Sequence, residues 1–363
     1  MAPGVASQRW LRGWLMADVV LVTGVSRYLG GRFARLLTAE PSVERVIGID
    51  VIPPPHDIGD AEFVRADIRN PMIARIITQA AVDTVVHMNV IATPLSAGGR
   101  VSQKEINVIG TMQLLAACQK APSIRRLVVK SSAAVYGSSP RDPAMFAEDM
   151  GPKALPRAGF GKDSVEVEGY VRGFSRRRAD VEISMLRLAH IVGPGLRTGL
   201  TDYLSMRVIP TPLGYDARLQ LLHENDALRG LLLATVGPPV GIVNVAGDGM
   251  ITVQQAARLA GRPTVPVPLS ACGLLGQFVK RTGLADFSPD QMQYLAFGRG
   301  MDTTRMREVL RLEPDFTTRA AFEDFISHAG SGLPGTPIAS AIGGLAGSAA
   351  DALTRSHASG RNH

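Results

Sequence analysis

Short apolar runs recur along the chain, and the stretches between them repeat at helical spacing. Asp18–Thr23 reads DVVLVT, the pattern of a strand buried on both faces of a parallel sheet. It runs into a glycine turn, Gly24 to Gly30-Gly31, and then into a helix that carries Phe33, Leu36 and Leu37 on one face. Further strands are expected at Val43–Ile49, Phe63–Ala66, Thr84–Val90 and Arg126–Lys130. Helices are expected at Pro71–Ala81, at Ser102–Lys120 and from Ala158 onward.

A strand, a tight glycine turn and a helix N-terminus together make a cradle for a diphosphate. Backbone N–H groups and the positive end of the helix dipole face the anion, and the missing Cβ atoms let it approach. Gly24, Ser26, Arg27, Tyr28, Leu29 and Gly30 are the candidates. The second run ends in Asp50, placed to accept both ribose hydroxyls of an adenosine and to repel a 2′-phosphate, which favours NAD over NADP. The third ends in Asp67, and Asp67 with Ile68 would lie beside the adenine. The plain alternative is that these aspartates simply terminate strands.

With these residues in view, the chain resembles an extended short-chain dehydrogenase/reductase of the NAD-dependent epimerase/dehydratase type, close to the nucleotide-sugar 4-epimerases, from about Val19 to Ile326. Its turn departs from the family's TGxxGxxG in carrying Arg27 at the middle glycine; against the shorter branch's TGxxxGxG, that glycine is Tyr28. An Arg at this place in the shorter branch often contacts the 2′-phosphate of NADP, so Arg27 argues against Asp50. The fourth run, DTVVHMNV, stands where the family has VIHLAA, which puts Met88 and Asn89 at the cofactor, Asn89 beside the nicotinamide ribose. Asn107, Gly110 and Thr111 match NxxGT, and the resemblance implies that Asn107 holds active-site water and backbone geometry. SSAAVYG puts Ser132 on the catalytic Ser/Thr position. LRLAHIVGPG puts His190 where an Asn often holds a nucleotide-sugar. The segments 219–236, 241–252 and 301–325 resemble the family's later elements in order and spacing. The implied architecture is α/β, a doubly wound parallel Rossmann sheet with a smaller C-terminal substrate lobe: residues 18–190 mainly dinucleotide-binding, 191–329 mainly substrate lobe.

The family's chemistry needs a Tyr and a Lys four residues apart on one helix face, the ammonium lowering the phenol's pKa. In the family text YGxSKxxxE, the Tyr falls on Phe160, the Lys on Ser164 and the Glu on Glu168. No Tyr in the chain has a Lys four residues later. Lys162 lies two past Phe160, about 200° around the helix from it. Two readings remain. In one, the protein is an oxidoreductase or epimerase with a rebuilt acid/base drawn from His190, His87, Asp163 or Lys162. In the other, it binds a dinucleotide without turnover and acts as a sensor or scaffold.

Composition adds bounds. The chain has 363 residues, a net charge of +7 and two cysteines, Cys118 and Cys272. Both lie in apolar helical stretches, which implies buried thiols, no disulfide framework and a reducing cytoplasm. The charge favours anionic ligands, but no basic stripe interleaved with aromatics suggests nucleic acid. Arg176-Arg177-Arg178 is expected to serve the end of its own helix. No metal site is read. Residues 1–17, with Trp10 and Trp14 among arginines, read as an N-terminal extension or a membrane-surface helix. Residues 330–363, rich in Gly, Ala and Ser, read as a flexible tail. The family resemblance implies as partners a small molecule such as a nucleotide-sugar and a second copy, paired through the helices at 102–120 and 160–178.

Overall fold

The structure is a computed structural model that describes residues 17–92, 97–156, 158–268 and 289–328. The N-terminal segment before Ala17, Cys272 and the tail from 330 lie outside the described residues.

Strands β1 (Ala17–Thr23), β2 (Val43–Asp50), β3 (Glu62–Arg65), β4 (Thr84–His87), β5 (Arg126–Ser132), β6 (Glu182–Leu188) and β11 (Gly241–Val245) form one parallel sheet in the order β11-β6-β5-β4-β1-β2-β3. The apolar runs are explained by what covers the sheet. Successive residues of a strand face opposite sides, and both sides are dry. Val20, Val22, Val86 and Val128 face α1 (Tyr28–Thr38), which supplies Leu29, Phe33 and Leu37. Leu21, Val85, Leu127 and Val129 face the other layer, built from α2 (Ile73–Gln79), a helix at 100–120, and α5 (Gly159–Arg177), through Ile77, Leu114, Cys118 and Val171. The chain turns from β1 to β2 and β3 on one side, then crosses back to β4 on the other. The switch point is therefore the crevice between β1 and β4, where an open α/β sheet binds its ligand.

The helix at 100–120 differs from the expected one. It begins at Arg100 as α3 (Arg100–Lys104), widens into a π-helical turn (Glu105–Gly110), and continues as α4 (Thr111–Lys120). The wide turn brings Asn107 onto the Ile91 backbone and Gly110 against Ile68, where an added Cβ would stand 2.7 Å from the Ile68 Cδ1. The expected strand Thr84–Val90 ends at His87, because the next N–H groups turn to the Thr23 hydroxyl rather than to a neighbouring strand. Arg178 also departs from expectation. It donates to the carbonyls of Cys118, Ala121 and Ile124, so it serves the end of α4 rather than of its own helix.

One buried ion pair ties β6 to α5. Arg187 meets Glu168 through two hydrogen bonds of 2.9 and 2.8 Å, and both side chains are buried. Ser131 donates to the same carboxylate at 2.7 Å, and Arg187 also donates to the Tyr136 hydroxyl at 2.8 Å. Burial works against the Arg187 charge, but Glu168 outweighs it and holds the guanidinium above its ordinary range.

A smaller lobe packs around Tyr203, Leu219, Ile251, Tyr294 and Phe322. It includes the two-stranded pairs β7 (His190–Val192) with β10 (Leu221–His223), β9 (Arg218–Leu219) with β12 (Ile251–Thr252), and β8 (Ile209–Pro212) with β13 (Thr264–Val267). The short helix α6 (Gly199–Leu204) supplies Tyr203 to this lobe, and α7 (Glu224–Val236) returns to the face that α1 covers.

Candidate dinucleotide crevice

The glycine turn is held from β2. The Gly24 N–H donates to the Ile49 carbonyl at 2.9 Å, and the Ser26 N–H to the Asp50 carboxylate at 3.0 Å. The Ser26 hydroxyl donates to the Ile52 carbonyl. Gly24 has φ +80°, which suits only glycine without strain, and its missing Cβ leaves room for Asn89. Gly30 is required by contact: a Cβ there would stand 2.1 Å from the Gly24 carbonyl oxygen. Leu29 is buried in the core beneath the turn. The Tyr28 ring lies over Gly195, and its hydroxyl donates to Glu224 at 2.9 Å, which α1 also meets through Arg32. Tyr28 and Arg32 thereby fasten α1 to the start of α7.

Asp50 also accepts the Val51 N–H, so each carboxylate oxygen has one protein donor and can accept another. Asp67 is gripped by Arg69, whose hydrogen bonds hold its carboxyl below the usual range. Ile68 is buried. An adenine beside Asp67 would therefore meet the Arg69 guanidinium as well.

The floor of the crevice is wired. Thr111 donates its hydroxyl hydrogen to the Asn107 carbonyl, so it can only accept from His87 Nε2, 2.8 Å away. His87 Nδ1 is then an acceptor, and the Thr23 hydroxyl donates to it at 2.9 Å while accepting the Met88 and Asn89 N–H groups. The chain of bonds fixes a neutral imidazole. Burial and the nearby Lys130 charge push its pKa down to about 3. Met88 turns its side chain into the core. Asn107 is fully buried and clamps both backbone groups of Ile91, a scaffold position beneath the crevice.

Two polar atoms at the turn are buried without partners, Arg27 Nε and Asn89 Oδ1. Together with the glycine cradle, they suit a polar ligand at the switch point, and a dinucleotide fits them. Lys130 went unremarked in the sequence. It donates to the Val90 carbonyl at 2.9 Å, and burial followed by the Arg27 charge pushes its pKa down to about 8. Its alternation with Ser132 along β5 was the signal that could have found it.

A model of the NAD dependent epimerase/dehydratase family matches residues 20–246. An uncharacterized protein of Mycobacterium tuberculosis is 48% identical over 324 residues, covering 88% of this chain and 85% of that protein. The chain belongs to the NAD dependent epimerase/dehydratase family. Among solved structures, a UDP-glucose 4-epimerase of Thermotoga maritima with UDP-glucose has a TM-score of 0.67 at 19% identity, covering 85% of this chain and 98% of that one. A UDP-glucuronic acid 4-epimerase of Bacillus cereus with NAD has a TM-score of 0.62 at 16% identity, covering 86% and 98%. At these identities the likeness is one of fold.

The positions expected to carry the family's Tyr and Lys lie on α5. Phe160 packs into the core layer behind the sheet. Ser164 is fully buried, and its hydroxyl donates to the Phe160 carbonyl at 2.8 Å. Ser132 Oγ accepts the Ala134 N–H and starts a 3₁₀ turn at Ala133–Tyr136. Asp163 is fully buried and paired with Arg100 through two bonds of 2.5 and 2.6 Å. Lys162 is exposed and lies 3.9 Å from Glu166. Tyr136 is buried, donating to Asn244 at 2.7 Å. The His190 ring lies tilted against Tyr294, centroids 4.4 Å apart, in a cavity of about 10 Å³ shared with Gln220 and Arg299, room for about one water. Burial, then Arg299, pushes its pKa down to about 3. Among the described residues no three His, Cys, Asp or Glu converge as metal ligands, and no helix is long and apolar enough to cross a membrane. Burial raises the Cys118 thiol to about 12, which makes it inert.

The two histidines give a pH prediction. Their folded pKa values lie below the ordinary value of 6.5. The unfolded chain therefore takes up protons that the fold refuses, and stability present above pH 6.5 is lost as pH falls toward 3. The urea midpoint should drop across that window, each histidine contributing up to about 1.4 kcal/mol per pH unit. His87→Asn should flatten part of the slope; an unchanged slope would mean that neither the wiring nor the burial of His87 matters.

Proposed function

We propose that this chain binds NAD in the β1/β4 crevice and does not run the family's Tyr/Lys hydride chemistry, so that the bound dinucleotide serves as a structural or sensing ligand. The observation that carries this reading is the pair at the catalytic positions. Phe160 has no proton to exchange, and the Ser164 hydroxyl is spent inside its own helix. Of the candidate substitutes, His87 is held neutral by two threonines, Asp163 is ion-paired, Lys162 faces solvent, and burial beside Arg299 keeps His190 uncharged near neutral pH. General acid–base catalysis contributes about 10²–10⁴-fold to such reactions, and neither Phe160 nor Ser164 can supply it.

NAD supplies a hydride acceptor when bound. The residues that would hold it are the 24–30 turn at the diphosphate, Asp50 at the adenosine ribose, and Asn89 toward the far end. Solved neighbours hold UDP-glucose or UDP-glucuronic acid with NAD, and nucleotide-sugars are therefore the small molecules to offer first. The test is to add NAD with UDP-glucose or UDP-glucuronic acid and follow reduced cofactor and deuterium exchange. The expected result is saturable NAD binding without either signal. Turnover would overturn the non-catalytic part, and absence of NAD binding would overturn the whole.

Asp50→Ala should narrow the preference for NAD over NADP, because the carboxylate that accepts ribose hydroxyls and repels a 2′-phosphate is gone. It should also weaken NAD itself, since the same group holds the Ser26 N–H. Calorimetric titration of both dinucleotides checks this. Tighter NADP than NAD in the unaltered protein would show that Arg27 governs the choice.

A further inference from the structure

Arg27 and Lys130 come from opposite sides of the switch point. Arg27 precedes the first turn of α1, at the end of β1, and Lys130 lies near the end of β5, with β4 between the two strands. Lys130 shares its strand face with Val128, in the layer that packs against Val25 and Leu29 beneath the turn. The Arg27 charge reaches the Lys130 amine.

Little negative charge answers them. Among the described residues Arg27 makes no side-chain hydrogen bond or ion pair, and its Nε is buried without a partner. Asp50 is the acid whose field reaches it, and both oxygens of Asp50 already accept backbone N–H groups. Lys130 donates to the Val90 carbonyl, has Leu186 as its register partner in β6, and acts by its charge on the neutral His87 of β4. Two half-buried cations, of which only Arg27 feels a carboxylate, favour an anion that joins them. The N-terminus of an eleven-residue helix opens at the same point.

We propose that Arg27 and Lys130 together clamp the diphosphate of the dinucleotide, and that its capture takes up a proton at the Lys130 amine. This rests on the reading of NAD binding above and adds residues to it. The large side chain at the middle-glycine position thereby becomes a ligand group rather than an obstruction. The sign follows from the charges. In the free protein burial and Arg27 favour loss of the Lys130 proton, with a pKa of about 8; two phosphate charges favour its return. Affinity is therefore full below pH 8 and falls as pH rises toward the higher value of the complex.

The test is calorimetric titration with NAD and with ADP-ribose, which carries both phosphates but no nicotinamide, from neutral to alkaline pH. Buffers of different ionisation enthalpy report the proton. The unaltered protein should show proton uptake near pH 8 and affinity that weakens by up to about tenfold per pH unit above it, equally for both ligands. Lys130→Met should bind more weakly with no slope over this range, and Lys130→Arg should hold the low-pH affinity throughout. Arg27→Gly should weaken binding and move the slope to higher pH, since part of what lowers Lys130 is removed. A flat profile for the unaltered protein, a slope retained in Lys130→Met, or a slope with NAD but not ADP-ribose would each overturn the clamp while leaving NAD binding in place. No binding of NAD at any pH would overturn both readings.

Discussion

Glu168→Ala should lower the melting temperature by on the order of 10 °C, from a loss of about 3–5 kcal/mol. The buried carboxylate accepts two hydrogen bonds from Arg187, one from Ser131, and one from the half-exposed Arg172. Removing it leaves a guanidinium buried with only the Tyr136 hydroxyl and the Glu148 carbonyl. Glu168→Gln keeps an acceptor and should cost less. Replacing both partners together, Glu168→Leu with Arg187→Met, should recover much of the loss, since no orphaned charge remains. Thermal unfolding of the four proteins checks the set. A drop below about 1 kcal/mol for Glu168→Ala would mean that solvent reaches Arg187 when its partner goes.

The second large effect is on binding. In Gly30→Ala the new Cβ would stand 2.1 Å from the Gly24 carbonyl oxygen and 2.8 Å from its carbon. Both are backbone atoms, so the strain cannot be relieved by a side-chain rotation. The turn must open, and the N–H groups that would face the diphosphate move with it. NAD affinity should fall by about a hundredfold or more, equivalent to roughly 3 kcal/mol, with a smaller loss of melting temperature. Gly169→Ala is the control of opposite sign. Its Cβ meets nothing within 4 Å on the exposed side of α5, so it should stabilise by about 0.5–1 kcal/mol. Unchanged affinity in Gly30→Ala would mean that the dinucleotide does not rest on this turn.

Much of the sheet was legible because burial on both faces leaves a strand no choice but an apolar run. Val20, Leu21 and Val22 read as strand for the same reason that they are fully buried. The carboxylate at the end of β2 was legible too, since Asp50 interrupts such a run where the sheet stops. What escaped notice depends on partners distant in sequence. The interaction of Arg178 with the end of α4 spans 54 to 60 residues, so the local rule, that a cation serves its own helix, gave the wrong helix. The π-helical turn is set by Asn107 reaching for Ile91, which no periodicity announces. Lys130 read as the polar end of a strand, and only the crevice around it shows that its charge is confined.

The way β2 holds the glycine turn also bears on the order of events as the chain folds. Residues 24–30 are neighbours in sequence, and a turn of seven residues ordinarily takes shape quickly and by itself. Here its first N–H is bonded to Ile49 and its third residue to Asp50. The final shape of the turn must therefore wait until the chain beyond it has been made and β2 has docked on β1. The wiring of Thr23 to His87 sets a later deadline still, because β4 must arrive before the floor exists. During synthesis from the N-terminus, the cradle is thus among the first segments to emerge and among the later ones to mature, and a nascent chain stopped short of β4 carries the complete motif without the crevice.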